Sequence, residues 1–188
     1  MNELLKPLLK DIEKRMKQAV NVVRDELSHV RTGRASPALV ENLEVDYYGT
    51  MVQLKQIASI TTPDARTILI QPWDRNVIPL IEKAIWKSDL GFNPAVDATV
   101  IRVNLPPLTE ERRREIAKMA KKIVEEGKVA VRNLRREANE EVRKMEKEGK
   151  ISEDEGKWAQ AEIQRVTDEH INELDSLWEK KEKEIMSV

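Results

Sequence analysis

The 188-residue sequence has no cysteine. Disulfides, thiol nucleophiles and cysteine zinc sites are thereby excluded. Aromatic residues make up only 4% of the chain, while charged residues make up 36%, against about 25% in an ordinary globular domain. A chain so charged and so poor in aromatics has much surface for its volume. Long, thin helical packing produces that; a compact sphere does not. A charge of one sign is missing too. The 33 basic and 34 acidic residues leave a formal charge of −1, so only an uneven placement of charge would point to nucleic acid. No run approaches the ~18 apolar residues of a membrane span. The start, MNELLKPLLKDIEKR, lacks the apolar centre of a signal peptide. A cytoplasmic protein with no membrane partner is the expectation. There is no internal repeat, no HExxH, no Gly-rich phosphate loop and no Ser-His-Asp order. His29 and His170 are the only histidines. Each lies near an apolar helix face and reads as a hydrogen-bonded structural residue. No catalytic residue, metal ligand or cofactor is expected.

What is present is periodicity. Leu5, Leu8, Leu9, Ile12, Met16, Ala19, Val23, Leu27 and Val30 recur in steps of three and four, one face of a helix. Pro7 is tolerated in its first turn, and Arg31-Thr32-Gly33-Arg34-Ala35-Ser36-Pro37 ends it, with Gly33 as the expected cap. Short β-branched or alternating runs follow at 43–48, 51–54, 57–62, 67–70 and 99–103, with one short helix over 76–87. The segment Asp89–Pro94 reads as turn. Pro106 and Pro107 close this region as stiff spacers. Thr109 with Glu110 and Glu111 has the form of a helix start. Ile116, Ala120, Ile123, Gly127, Ala130, Leu134, Ala138, Val142 and Met145 then keep one face. Gly149 ends that helix, and Ser152 to Glu155 fits a capping box for a last one. The spacing predicts an α+β protein. An elongated three-helix bundle spans 1–30 and 106–188, and a small β/α/β sandwich domain is inserted over 31–105, with hinges at 31–37 and 104–107. Trp73, Trp86, Trp158 and Trp178 are scattered and read as core or edge packing.

One feature of the second long helix carries chemistry. Arg132, Arg135, Arg136 and Arg143 recur at helical spacing, with Lys128 one turn before and Asn139 between. They form a basic ridge beside the apolar stripe. A solvated face with ordinary i,i+4 pairs explains such a ridge, and the neighbouring acids Glu137, Glu140 and Glu141 agree in part. Arginine forks also bind phosphate and stack on bases, which makes RNA contact the competing explanation. Arg31 and Arg34 flank Gly33. They either stabilise a helix end or add a phosphate contact near the hinge.

Five separated segments carry a resemblance: RTGRASP, VDYYGT, SDLGFNP, LPPLTEERR and VRNLRREAN. Together, in order and spacing, they resemble the ribosome recycling factor family of bacteria and organelles over essentially the whole length. The resemblance implies an L-shaped, tRNA-like protein with a flexible double hinge at Gly33, Pro106 and Pro107. It implies a monomer without enzymatic activity that binds the bacterial ribosome after peptide release. With the translocase GTPase, elongation factor G, such a protein splits the subunits to free mRNA and tRNA. It places the main contact with large-subunit rRNA on Arg132, Arg135 and Arg136, and matches Arg31 and Arg34 to the motif after the first helix. The loop around Asp97-Ala98 looks shorter than in some relatives. A helical adaptor that binds a protein partner without RNA remains the alternative.

Overall fold

The computed structural model describes residues 3–187. Four helices and six strands occur among them: α1 Leu5–Ser28, β1 Glu44–Tyr47, β2 Thr50–Gln53, β3 Ala58–Asp64, β4 Thr67–Pro72, α2 Ile78–Lys87, β5 Asn93–Asp97, β6 Val100–Asn104, α3 Glu110–Lys147 and α4 Glu153–Met186. By contact the chain forms two compact units, one of 1–27 with 117–183 and one of 28–116 with 184–188.

In the first unit α1, α3 and α4 pack as a bundle. Ile12, Met16, Val20 and Val23 of α1, Ala120, Val124, Val131, Ala138 and Val142 of α3, and Ala159, Ile163, Val166 and Leu174 of α4 are buried. The α3 stripe differs from the expectation at two steps. Val131 is buried and Ala130 exposed; Val124 is buried and Ile123 half-buried. A stripe of mixed three- and four-residue steps admits either neighbour, and packing decides between them. At Gly127 the helices approach closely. A Cβ there would lie 2.4 Å from Val23 Cγ2 and 3.5 Å from Leu174 Cδ2.

The helix ends follow their cap residues. The amide of Arg112 donates to Thr109 Oγ1 at 3.1 Å, satisfying one of the free donors that open α3. Gly149, at φ 74°, closes it, with the Lys150 amide on Met145 O (2.9 Å) and its own amide on Glu146 O (3.0 Å). Ser152 and Glu155 exchange two 3.1 Å backbone–side-chain bonds, the reciprocal box that starts α4. By contrast α1 stops at Ser28, so Gly33, at φ 87°, is a turn in the linker and not the cap of α1.

The second unit holds two antiparallel sheets, one ordered β3-β4-β6-β5 and a ribbon of β1 and β2. Ile68, Ile70, Ile101 and Val103 of the central strands pack with Ile81 and Ile85 of α2, and with Phe92 and Leu105. Strand β5 begins inside the expected turn, at Asn93 and Pro94, and runs on to Asp97. It pairs only with β6, at the sheet edge, where Pro94 removes no ladder bond that a neighbour needs. The tryptophans also depart from expectation. Trp73, Trp86 and Trp158 are exposed and none of the four is in a core. His170 is buried, its Nδ1 2.7 Å from Val166 O, and His29 bonds to Ser28 and Asn42. Both are engaged structurally. Among the described residues no helix is long and apolar enough to cross a membrane.

Candidate nucleic-acid interface

An α-helix turns by about 100° per residue. Counted from Arg132, the side chains of Lys128, Arg135, Arg136, Asn139 and Arg143 therefore leave α3 within one arc of about 100°, over about 22 Å of axis. The buried stripe occupies the adjoining arc, so packing fixes the direction in which the ridge points. Arg132, Arg136 and Arg143 are exposed and Arg135 is half-buried. Among the described residues none of these four arginines has an ion-pair or hydrogen-bond partner. Glu137, on another side of α3, bonds Arg15 of α1 at 3.2 Å.

Lys128 and Asn139 are placed differently. Lys128 is 14% exposed and its Nζ binds Asp175 of α4, with Glu125 at 3.6 Å. The hydrogen bond to Asp175 raises its pKa above the usual lysine value, against the opposing effect of burial. Its charge is already matched. Asn139 Oδ1 is buried without a partner, so this amide has an acceptor to spare beside the arginines.

Arg31 and Arg34 belong to the other unit. Arg34 is exposed. Arg31 is half-buried: one terminal nitrogen donates to Pro106 O at 2.5 Å, the guanidinium carbon lies 5.4 Å from the Phe92 ring centroid, and Nε is buried without a partner. Burial first, then the nearby Arg112 charge, lowers its pKa from the arginine value. Arg31 thus ties the first linker to the second. The insert holds both linkers at one turn as well, through the Ala35 amide on Ala65 O (2.7 Å) and the Leu105 amide on Arg66 O (2.8 Å).

Two residues of the same arc were missed in the sequence. Lys121 and Lys118 stand about three and four turns before Arg132 and are exposed. Continuing the same angular count towards the start of α3 finds them. The arrangement as a whole offers a line of unneutralised guanidiniums to an extended anion, and no nucleophile or base is associated with it.

The chain is similar to known proteins over nearly its whole length. The family model described as ribosome recycling factor matches residues 23–186. A ribosome-recycling factor of Nitratidesulfovibrio vulgaris is 52% identical over 184 residues, covering 98% of this chain and 99% of that one. One of Symbiobacterium thermophilum is 52% identical over 185 residues, covering 98% and 100%. Among solved structures, a ribosome recycling factor in solution superposes with TM-score 0.79 at 50% identity over the full length of both chains. A second match has TM-score 0.69 at 49% identity, covering 97% of this chain and 99% of the other. It comes from models of the T. thermophilus ribosome recycling factor and the E. coli elongation factor G bound to the E. coli post-termination complex.

Proposed function

The chain belongs to the ribosome recycling factor family, and on that premise we propose that the arginine arc of α3 is the surface by which it holds large-subunit rRNA. It acts in ribosome recycling. With elongation factor G it splits the post-termination ribosome into subunits, so that mRNA and tRNA leave. The GTPase is the partner, and the chain itself is not an enzyme. Its place of work is the cytoplasm, where bacterial ribosomes are.

The observation that carries the RNA assignment is the set of four arginines, Arg132, Arg135, Arg136 and Arg143, unpaired on one arc. Charged side chains without partners on a helix rich in acids are left free for a ligand. Guanidinium is the group that grips phosphate in two places at once. Lys128 and Asn139 border the contact, and Arg34 adds a separate one. Arg31 joins only by leaving Pro106 and Phe92. Gly33, Pro106 and Pro107 supply the hinge between the bundle and the insert, whose compact units divide at 27/28, 116/117 and 183/184 rather than at the expected 30/31 and 105/106. A formal charge of −1 suits a factor that must leave after every cycle. Affinity resides in one place, and attraction to other RNA stays weak.

Co-sedimentation with purified ribosomes across a salt series tests this. The logarithm of affinity should fall linearly with that of salt, by about 0.7–0.9 per phosphate neutralised, so a slope near −3 is expected for four arginines. An affinity flat in salt would replace this reading with a helical adaptor that docks on protein.

A further inference from the structure

The strand edges of the insert are guarded unequally. In the sheet β3-β4-β6-β5 both outer strands carry a proline, Pro63 in β3 and Pro94 in β5, which blunts an edge against further pairing. Strand β1 of the ribbon carries none. It pairs only with β2, so one of its edges is free. The register fixes which backbone groups lie there. A two-residue turn joins the strands, with Tyr48 at φ 50° and Gly49 at φ 89°, and the Leu54 amide donates to Leu43 O at 2.9 Å. Bonded and non-bonded residue pairs alternate along an antiparallel ladder. Tyr47 with Thr50, Val45 with Val52 and Leu43 with Leu54 are then the bonded ones. The Gln53 amide agrees, since it donates to Gln56 Oε1 at 3.0 Å and not to its neighbour Glu44. The amides and carbonyls of Glu44 and Asp46 therefore point away from β2.

The same two residues line an open groove of about 580 Å³, whose other wall is α2. Leu43, Met51, Leu80 and Ala84 give it an apolar lining. Lys83 and Lys87 put two ammoniums on the α2 wall, and Glu44 and Asp46 put two carboxylates on the β1 wall. All four side chains are exposed, and among the described residues no ion pair engages any of them. A free strand edge beside a helix suits an extended peptide. Main-chain bonds give the affinity there, and side chains on alternate faces give the choice of ligand. Charge excludes one occupant. A second copy of β1 laid antiparallel on this edge would set Glu44 opposite Asp46 and Asp46 opposite Glu44, and like charges so opposed repel. The edge instead asks for cations level with its two acids. Successive side chains of an extended segment point to opposite faces. The residues between those cations therefore turn to the side of Val45, which shares a core with Ile81 and Ile85 of α2. Acids at those places would match Lys83 and Lys87.

We propose that the groove between β1 and α2 is a strand-addition site for an extended protein segment of alternating charge. Its basic residues lie beside Glu44 and Asp46, and its acidic residues lie beside Lys83 and Lys87. The probe is an end-capped octapeptide of alternating lysine and glutamate. The control is a block peptide of the same composition, all its lysines before its glutamates. Amide NMR of the isotope-labelled full-length chain follows the titration at physiological salt. The amides of Glu44 and Asp46 should shift together with those of Lys83 and Lys87. At saturation the first two should exchange with solvent at least about tenfold more slowly, because each gains a ladder partner or lies against one. The block peptide should bind at least about tenfold more weakly, since it cannot keep one sign on each face. Lys83→Glu/Lys87→Glu, at two exposed positions, should weaken the alternating peptide by a similar factor. Should that variant melt early, the native protein repeats the test with the alternating peptide N-methylated at every second residue. Methylation removes ladder donors and should abolish the slowed exchange at Glu44 and Asp46. No shift at Glu44 and Asp46 with the peptide at millimolar concentration overturns the site. Equal binding of the block or the N-methylated peptide also overturns it, because charge alone would then hold the ligand without a strand.

Discussion

The arc on α3 and the groove on the insert are both open to solvent, and they are built from opposite materials. The arc has arginines without partners, no aromatic ring and about 22 Å of regular helix. The groove has lysines on one wall, carboxylates on the other and a strand edge without a partner. An extended polyanion is gripped by charge repeated along a line, and the line needs only helical regularity to stay straight. An extended peptide is gripped by its backbone, and the backbone needs a free edge. The first contact should weaken steeply with salt and the second much less.

The largest effect should come from erasing the arc. In the triple variant Arg132→Ala/Arg135→Ala/Arg136→Ala, three charge-assisted contacts are lost. At about 1.5 kcal/mol each, ribosome affinity should drop about a thousandfold. The salt slope should flatten by about 2 to 3. Helicity should hold, because alanine is the best helix former and these side chains have no partners within the protein. Co-sedimentation and far-UV circular dichroism measure the two. Unchanged binding at physiological salt would make the ridge a solvated face.

Next is the scaffold under the arc. Gly127→Ala puts a Cβ 2.4 Å from Val23 Cγ2, inside the bundle. Overpacking there should cost about 1–3 kcal/mol, offset by about 1 kcal/mol of helix propensity. A net loss of up to about 2 kcal/mol should lower the melting temperature by as much as several degrees. Gly156→Ala is the control. Its Cβ meets Glu146 Oε2 at 2.8 Å, the free end of a flexible side chain, so the carboxylate swings aside and stability should stay level or rise by up to about 1 kcal/mol. Thermal melts of both variants decide whether close helix approach at Gly127 is what matters.

The sequence made the bundle legible because long amphipathic helices repeat their signal many times, and caps such as Ser152 with Glu155 mark their ends. It misplaced single steps such as Ala130 for Val131, where two periodic counts are equal and only packing decides. Strand β5 was hidden by Pro94, since a proline argues against a strand unless the strand is known to lie at an edge. The arc was legible because angle along one helix follows from numbering alone. The state of Lys128 and Arg31 was not, because Asp175 and Pro106 are distant in sequence. The bond from Tyr48 to Asp74 was illegible for the same reason.

The smallest effect should appear at Lys128, and it tests whether free charge or mere position makes the arc. Lys128 shares the arc with the arginines, yet its ammonium is matched by Asp175 and Glu125. An ammonium already neutralised releases few counterions from RNA, so Lys128→Met should change the salt slope by less than about 0.5, against about 0.7–0.9 for each arginine. Asp175→Asn should act the other way, freeing the ammonium and steepening the slope by up to about 0.9. The same pair gives a pH signature. Bonding to Asp175 raises the folded pKa of Lys128 above its ordinary 10.5. Its contribution to stability is therefore complete below that value and is lost as pH rises through the higher folded value. With Asp175 46% exposed, the loss should be within about 1 kcal/mol. Thermal melts between neutral and strongly alkaline pH should show a small decline in the native protein that Lys128→Met lacks. An equal slope change for Lys128→Met and Arg132→Ala would mean that position on α3, and not unpaired charge, governs the contact.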